Sequence, residues 1–293
     1  MSQKLKALVS VLGVVILISA LVASGGSYQG ETLAGGFPLF ASAVMLSYLI
    51  QWLFFIPAYA LKTEKFYDAA GGVGFVGGTL FVMLAASSLS PLAWLLGAMV
   101  ILWSLRLSLF LLVRVMRSGG DGRFDDIKTD PVRFFIAWTL QGLWVAVTAS
   151  AAWAVITSGR HAELGWVSYL GVLVWLVGMA LEITADVQKS RFKADPAHRG
   201  DFIQSGVWSV SRHPNYLGEI LVWVGVLVTA APLLVGWQWV TILSPVVVVL
   251  LLTKVSGIPK LEARADERWG GQEAYEEYKR NTPVLIPGLK GKN

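Results

Sequence analysis

The sequence predicts an all-α integral membrane protein, a bundle of about eight transmembrane helices. Hydrophobic residues make up 55 % of the 293-residue chain and charged residues 15 %, with a mean hydropathy of +0.61. A soluble domain of this size would need more polar surface. The apolar residues come in runs of about 20, the length of a helix that crosses a bilayer.

Eight apolar runs are predicted to be spans. If the glycine-rich third run only re-enters the membrane, the count falls to seven. The first run is longer than the apolar core of a usual signal peptide, so we expect a retained helix there, with cleavage as the alternative. The runs cover approximately Leu5–Ala23, Phe37–Leu61, Gly72–Leu89, Leu92–Val113, Phe134–Thr157, Trp166–Ala185, Tyr216–Val235 and Trp237–Val255.

The basic residues set the expected orientation. With eight spans, nearly all of them fall on one side of the membrane, and the opposite side carries only Arg160. By the positive-inside rule, both termini are then cytosolic. We expect a single membrane domain over residues 1–293, with a ligand cavity that opens to the cytosolic face.

The composition also excludes several kinds of site. The chain has no cysteine, which excludes disulfides, iron–sulfur clusters and cysteine nucleophiles. Its three histidines, His161, His198 and His213, are too scattered for a histidine metal site, and no metal is predicted. The sequence implies neither a nucleic-acid partner nor an obligate protein partner.

The end of the fourth span offers arginines that suit phosphate. Arg106 lies about two turns inside the run, where a charge is costly unless it is paired or solvated. Arg114 and Arg123 flank a glycine-rich loop, and glycines let the backbone approach a ligand that arginines grip. Arg114 and Arg123 equally suit a purely topological role among lipid headgroups, and both interpretations stay open.

Two carboxylates end the sixth span. Glu182 and Asp186 are four residues apart and share one helix face, which continues toward Lys189 and Lys193. We expect these carboxylates to accept hydrogen bonds from a ligand, such as ribose hydroxyls or an adenine amine. A local carboxylate–lysine network is one alternative, and a metal bound by hard oxygen ligands is another.

The polar stretch just before the seventh span carries the most chemistry. Polar groups at the mouth of a membrane helix are costly unless they bind something. Pro214 suits the first turn of a helix, whose N-terminus attracts anions, so Arg212 and His213 suit a phosphate. Asn215 and Glu219 share one helix face and suit a carboxamide.

Taken together, these residues resemble a known superfamily. The run Arg212-His213-Pro214-Asn215-Tyr216-Leu217-Gly218-Glu219, followed by an apolar span and a Glu-rich tail ending in Tyr-x-x-Tyr, is similar to the C-terminal fold of the steroid 5-alpha-reductases. Isoprenylcysteine carboxyl methyltransferases share that fold. Lys62–Asp68 and Gly122–Asp125 further resemble bacterial reductase-like membrane proteins, which implies a bacterial inner-membrane location. The resemblance is closest over residues 180–288 and extends back to Lys62.

The resemblance implies an NADPH site within residues 106–288, capped by the tail 254–293. In the reductases, the Asn and Glu of an Asn-x-x-Gly-Glu motif contact the cofactor, which assigns that role to Asn215 and Glu219. Asp186 matches an acid on the preceding helix, where Glu182 replaces an Asn. The expected cofactor-binding residues are Arg106, Arg114, Arg123, Glu182, Asp186, Arg191, Lys193, Arg212, His213, Asn215, Tyr216, Glu219, Lys254 and Glu262.

The substrate half of the chain departs from the family. Steroid reductases use a Gln–Glu pair on an early helix to polarise the substrate carbonyl, whereas here Gln51 is followed by Trp52. Gln51 is the candidate donor to the carbonyl, with Tyr67 and Tyr59 as alternatives, and the proton donor is unassigned. The family's basic, His-rich tail stretch is replaced by Ile258–Lys260, so steroid specificity does not follow.

The sequence therefore predicts an NADPH-dependent reductase of a lipophilic, steroid- or isoprenoid-like enone. Gln51 or Tyr67 would act at the carbonyl, and Glu219 would orient the nicotinamide. Membrane lipids and the lipophilic substrate are the expected partners. The alternative is an S-adenosylmethionine-dependent methyltransferase of an isoprenoid or phospholipid, which the Arg-His-Pro-x-Tyr-x-Gly core fits equally well. A third class is a non-catalytic lipid-binding or transport protein, but the ionisable residues gather on one membrane face, which argues against a path across.

Overall fold

The computed structural model describes residues 3–289, with side chains described from residue 8 onward. Every regular element in this range is a helix, apart from an isolated bridge between Thr32 and Pro38. The α-helices are α1 (Gln3–Gly26), α2 (Leu39–Ala60), α3 (Tyr67–Ala85), α4 (Pro91–Ser118), α5 (Pro131–Thr148), α6 (Ser150–Ile156), α7 (Trp166–Ala194), α8 (Pro214–Ala230), α9 (Leu243–Leu250), α10 (Ile258–Trp269) and α11 (Glu273–Asn281).

Within residues 3–289, seven helical segments are long and apolar enough to cross a membrane. The pair α5 and α6 supplies an eighth if it is counted as one span. The predicted class, an all-α polytopic membrane protein, is therefore confirmed. The glycine-rich third run is the 19-residue helix α3, which is among the seven. The cytosolic placement of both termini stays a prediction.

One predicted span is broken. The run Phe134–Thr157 was expected to be continuous, but α5 and α6 meet at Ala149 with a bend of 54°. All residues of α6 are buried, so this short helix packs against protein rather than lipid. The Ser244 hydroxyl donates to the Thr148 carbonyl at 2.6 Å, which supplies a side-chain partner beside the bend.

The helices group into two compact units. The first contains the described residues up to Ser168 together with Val226–Ser244, and the second contains Tyr169–Gly225 and the described residues from Pro245 onward. In the first unit, α3 packs against α2 and α4. An added Cβ would lie 2.9 Å from the Gln51 amide of α2 at Gly74 and 2.6 Å from the Trp153 ring of α6 at Gly78, so small residues permit α3 to approach both helices.

In the second unit, α7 and α8 lie backbone against backbone. A Cβ at Gly178 of α7 would be 2.7 Å from the Gly218 carbonyl oxygen, and a Cβ at Gly218 would be 2.7 Å from the Glu182 amide nitrogen. About two turns further along α8, a Cβ at Gly225 would lie 2.6 Å from the Trp175 amide nitrogen. Glycine is therefore required at all three positions, and Glu182 is brought directly beside Gly218.

We predict that Gly218→Ala destabilises the protein by about 1–3 kcal/mol, because the new methyl group would force α7 and α8 apart. Gly13→Ala in α1 is the matched control, since a Cβ there meets nothing within 4 Å. Thermal unfolding in detergent measures both variants. Equal melting temperatures for the two would contradict the close contact of α7 and α8.

Candidate functional site

The polar stretch before α8 is held in place by the C-terminal tail. The backbone N–H of Arg212 donates to the Pro283 carbonyl at 2.9 Å, and the Ser211 hydroxyl donates to the Leu285 carbonyl at 2.7 Å. The Ser211 oxygen in turn accepts from the His213 N–H at 3.3 Å. These hydrogen bonds to the tail fix the segment that leads into α8, which begins at Pro214 as predicted.

A single carboxylate from α10 joins the two basic groups that precede α8. One oxygen of Glu262 lies 2.7 Å from His213 Nε2, and the other lies 2.9 Å from Arg212 Nη1. The side chains of Arg212 and His213 are 10 % and 7 % exposed, whereas that of Glu262 is 22 % exposed. Burial lowers the pKa of His213, and the hydrogen bond to Glu262 opposes that shift. The structure thus brings three predicted site residues together.

Trp208 connects the end of α7 to the tail. Its indole N–H donates to the Ala185 carbonyl at 3.1 Å, and its own carbonyl accepts from the Tyr278 hydroxyl at 2.7 Å. The Lys189 ammonium lies 4.3 Å from the centre of the Trp208 ring. Only 2 % of Trp208 is exposed. Sequence reasoning missed this residue, although a lone tryptophan in a polar connecting segment was the available signal.

The loop that carries Trp208 is fixed to the same end of α7. The Val207 N–H donates to the Gln188 side-chain oxygen at 3.0 Å. Gly206 adopts a left-handed φ of +63°, and any Cβ there would overlap Gln188, so the turn needs glycine. Asp186 lies between these anchors and Glu182, which is itself 3 % exposed. The predicted acidic end of α7 therefore sits in a rigid setting.

The tail helices form a second ionic cluster. Asp266 of α10 accepts from the Tyr275 hydroxyl at 2.9 Å and from the Lys279 ammonium at 2.6 Å. The Trp269 indole N–H donates to the Gly200 carbonyl at 2.6 Å. These contacts join α10 to α11 and to the segment after α7. Within the second unit, the tail thus lies against the polar stretch, while its role as a cap over a cofactor stays a prediction.

The other predicted residues of the second unit are more peripheral. Arg191, Lys193 and Lys254 are exposed. Arg191 lines a surface groove of about 280 Å³. The Tyr216 ring stacks near His213 with 5.8 Å between ring centres.

Among the residues that the structure describes, no three His, Asp or Glu side chains gather as metal ligands.

In the first unit, the loop between α4 and α5 is bonded to the start of α3. Arg123, a predicted phosphate ligand, donates to Asp121 at 2.7 Å and lies 3.4 Å from Asp68. Its guanidinium is therefore already paired with two carboxylates. Arg114 is exposed, and Arg106 has its guanidinium 5.7 Å from the centre of the Phe110 ring.

Glu64 fixes the same loop. It is 4 % exposed and accepts from the Asp121 N–H at 2.9 Å and from the Lys128 ammonium at 3.2 Å. Burial acts to raise the pKa of Glu64, but these hydrogen bonds outweigh it and hold that pKa below its ordinary range. No function was predicted for Glu64, because its partners are more than fifty residues away in the sequence.

The candidate substrate-polarising groups are also in the first unit. Gln51 is fully buried, and its amide nitrogen donates to the Ala70 carbonyl at 3.1 Å. Its amide oxygen has no hydrogen-bond partner among the described residues, so the unpartnered atom is an acceptor. The Tyr67 hydroxyl donates to the Ala137 carbonyl at 2.9 Å. Their convergence with Glu219, which belongs to the second unit, stays a prediction.

Most of the chain is similar to a known protein family. The profile of a family described as protein of unknown function (DUF1295) matches residues 54–282. Steroid 5-alpha-reductase DET2 of Arabidopsis thaliana is 29 % identical over 124 residues, 42 % of either chain. The protein of the same name from Gossypium hirsutum is 28 % identical over 129 residues, 44 % of this chain and 45 % of its own. The chain thus spans less than half the length of these curated relatives, and no solved structure matches.

We predict that Trp208→Phe destabilises the second unit by about 1–3 kcal/mol, because the Ala185 carbonyl loses a buried donor. Trp166→Phe is the control, since Trp166 is 77 % exposed. Thermal unfolding, with amide hydrogen exchange over residues 205–210, measures the effect. Unchanged exchange in Trp208→Phe would show that the indole does not fix this loop.

The pKa of Glu64 is lower in the folded than in the unfolded protein, so the unfolded state binds more protons and stability rises with pH. At neutral pH, the free energy of unfolding of the wild type should exceed that of Glu64→Gln by about 1–3 kcal/mol. That advantage should shrink as the pH falls below the ordinary value of 4.5. Unfolding measured at several pH values tests this, with Glu163→Gln, at an exposed carboxylate, as the control. Parallel plots of unfolding free energy against pH for the wild type and Glu64→Gln would contradict it.

Proposed function

The chain belongs to the DUF1295 family, related to the steroid 5-alpha-reductases, and from that premise we propose that it is an NADPH-dependent membrane reductase. Its substrate would be a lipophilic enone of steroid or isoprenoid type. The observation that carries this proposal is the direct contact of α7 and α8, which sets Glu182 beside Gly218. The acidic end of one helix thereby adjoins the Asn-x-x-Gly-Glu motif of the other.

The residues of the second unit fit the chemistry of a phosphorylated dinucleotide. His213 is buried and Arg212 is only 10 % exposed at the start of a helix, and within the described part of the chain the buried Arg212 Nε has no hydrogen-bond partner. These groups would bind phosphate. Glu182 and Asp186 would accept hydrogen bonds from ribose hydroxyls.

The motif on α8 would orient the reactive end of the cofactor. Asn215 both donates and accepts hydrogen bonds, and Glu219 accepts them, which together match a carboxamide. When bound, NADPH supplies a hydride for the β-carbon of the enone, and a proton is added at the α-carbon. The second N–H of the Gln51 amide, or the Tyr67 hydroxyl once released from the Ala137 carbonyl, would donate to the substrate carbonyl, where charge develops. A lipid bilayer already concentrates such a substrate around the protein.

The reductase is preferred to the methyltransferase for two reasons. Both curated relatives are named steroid 5-alpha-reductase. The buried basic pair Arg212 and His213 also suits an anionic cofactor better than S-adenosylmethionine, whose reactive sulfonium is cationic and which carries no phosphate. Location in a bacterial inner membrane is part of the same proposal.

We predict that Asn215→Ala and Glu219→Gln each weaken NADPH binding about tenfold or more, because each removes a hydrogen bond to a polar ligand group. Fluorescence titration of the purified protein with NADPH measures the affinity, with S-adenosylmethionine titrated in parallel. Glu273→Gln is the matched control, since Glu273 is an exposed carboxylate on α11. It should bind as the wild type does.

Two results would contradict this proposal. One is unchanged NADPH affinity in both Asn215→Ala and Glu219→Gln. The other is tight binding of S-adenosylhomocysteine with no binding of NADPH, which would transfer the site to the methyltransferases. If NADPH binds as proposed, incubation with NADPH deuterated at the transferable position and a panel of enones should give product labelled at the β-carbon.

A further inference from the structure

The buried basic pair before α8 already has an anion. Each oxygen of the Glu262 carboxylate contacts one of the two basic groups, at 2.7 Å from His213 and 2.9 Å from Arg212. A phosphate that used the same two groups would meet this carboxylate at close range. Like charges held together at low dielectric repel strongly. Glu262 and a bound phosphate are therefore competitors for one place.

The environment of the three side chains indicates which of them moves. Arg212 is 10 % exposed and its backbone N–H is bonded to the Pro283 carbonyl, while His213 is 7 % exposed. Glu262 is the most exposed of the three, at 22 %. Rotation of the Glu262 side chain toward water therefore breaks fewer buried contacts than movement of Arg212 or His213 would. The buried Arg212 Nε, for which residues 3–289 supply no hydrogen-bond partner, is a further donor for an incoming anion.

The rest of α10 is anchored independently of Glu262. Asp266 is bonded to Tyr275 and Lys279, and Trp269 is bonded to Gly200. The Glu262 side chain can therefore turn outward while the helix keeps its position. No unfolding of the tail is required to free the basic pair.

We propose that Glu262 is a positioning residue: an internal anion that holds Arg212 and His213 in place until a phosphate of the cofactor replaces it. This inference rests on the proposed function in naming the cofactor as the source of the phosphate. It also reverses the role expected from sequence, where Glu262 was a direct cofactor ligand. The two roles predict opposite signs for the same substitution.

Glu262→Gln tests the sign. The substitution keeps the shape and removes the charge, so the affinities for inorganic pyrophosphate and for NADPH should each rise about tenfold. Glu262→Asp keeps the charge and should stay near the wild type. Glu267→Gln is the matched control, because Glu267 is an exposed carboxylate on the same helix and its loss changes the net charge equally.

Titrations are made in nanodiscs of phosphatidylcholine, with thermal unfolding of each variant as a second readout. Glu262→Gln should lower the melting temperature, because it leaves buried Arg212 without its counter-ion. Pyrophosphate should raise the melting temperature of Glu262→Gln by more than it raises that of the wild type. A purely structural role for Glu262 would lower stability without raising affinity for either anion, and that result would overturn the proposal.

The remaining outcomes separate this proposal from the proposed function. Weaker binding of both anions by Glu262→Gln would make Glu262 a ligand and overturn the inference. Tighter pyrophosphate binding with no NADPH binding in any variant would support the internal anion and remove the reductase assignment. If phosphatidylglycerol added to the nanodiscs competes with pyrophosphate in Glu262→Gln, the anion is a lipid headgroup, and the cofactor assignment is overturned.

Discussion

The second unit depends on the direct contact between the backbones of α7 and α8. Gly178, Gly218 and Gly225 leave no room for a Cβ at the crossing, so the two helices are held at one separation. Small residues allow such contact in membranes, where helices gain little from burying apolar side chains against each other. The contact fixes the acidic end of α7 beside the first turns of α8. The glycine of the Asn-x-x-Gly-Glu motif is thus needed for packing, whatever its neighbours bind.

The polar ends of the helices are organised by paired charges. In the first unit, Glu64 and Asp68 receive donors from the loop between α4 and α5. In the second unit, Glu262 pairs with Arg212 and His213. A buried charge without a partner is costly, and removal of one partner costs more than the pair contributes. These clusters therefore fix the connecting segments and also limit which cations are available to a ligand.

Much of the architecture follows from patterns that are local in the sequence. Apolar runs predicted the spans, and Pro214 predicted the start of α8. The break at Ala149 was missed, because Phe134–Thr157 is a predominantly apolar run with no proline to mark a bend. The bend is set by tertiary contacts, such as the hydrogen bond from Ser244 to the Thr148 carbonyl.

The candidate site divides in the same way. The motif and the carboxylate pair on α7 were visible because each lies within one or two helical turns. Trp208 was not, since its partners Ala185 and Tyr278 are distant in sequence. Nor could sequence show that the Gln51 amide nitrogen is already bonded to Ala70, or that Glu262 neutralises the pair it was expected to assist.

We propose that this membrane protein carries a phosphorylated dinucleotide on the α7–α8 pair. The most direct measurement is the identity of the small molecule that the purified protein retains, by mass spectrometry under native conditions. We expect the mass of NADPH or NADP⁺ bound to the wild type, and its loss from Asn215→Ala. Retention of S-adenosylmethionine or S-adenosylhomocysteine instead would contradict it and assign the fold to methyl transfer.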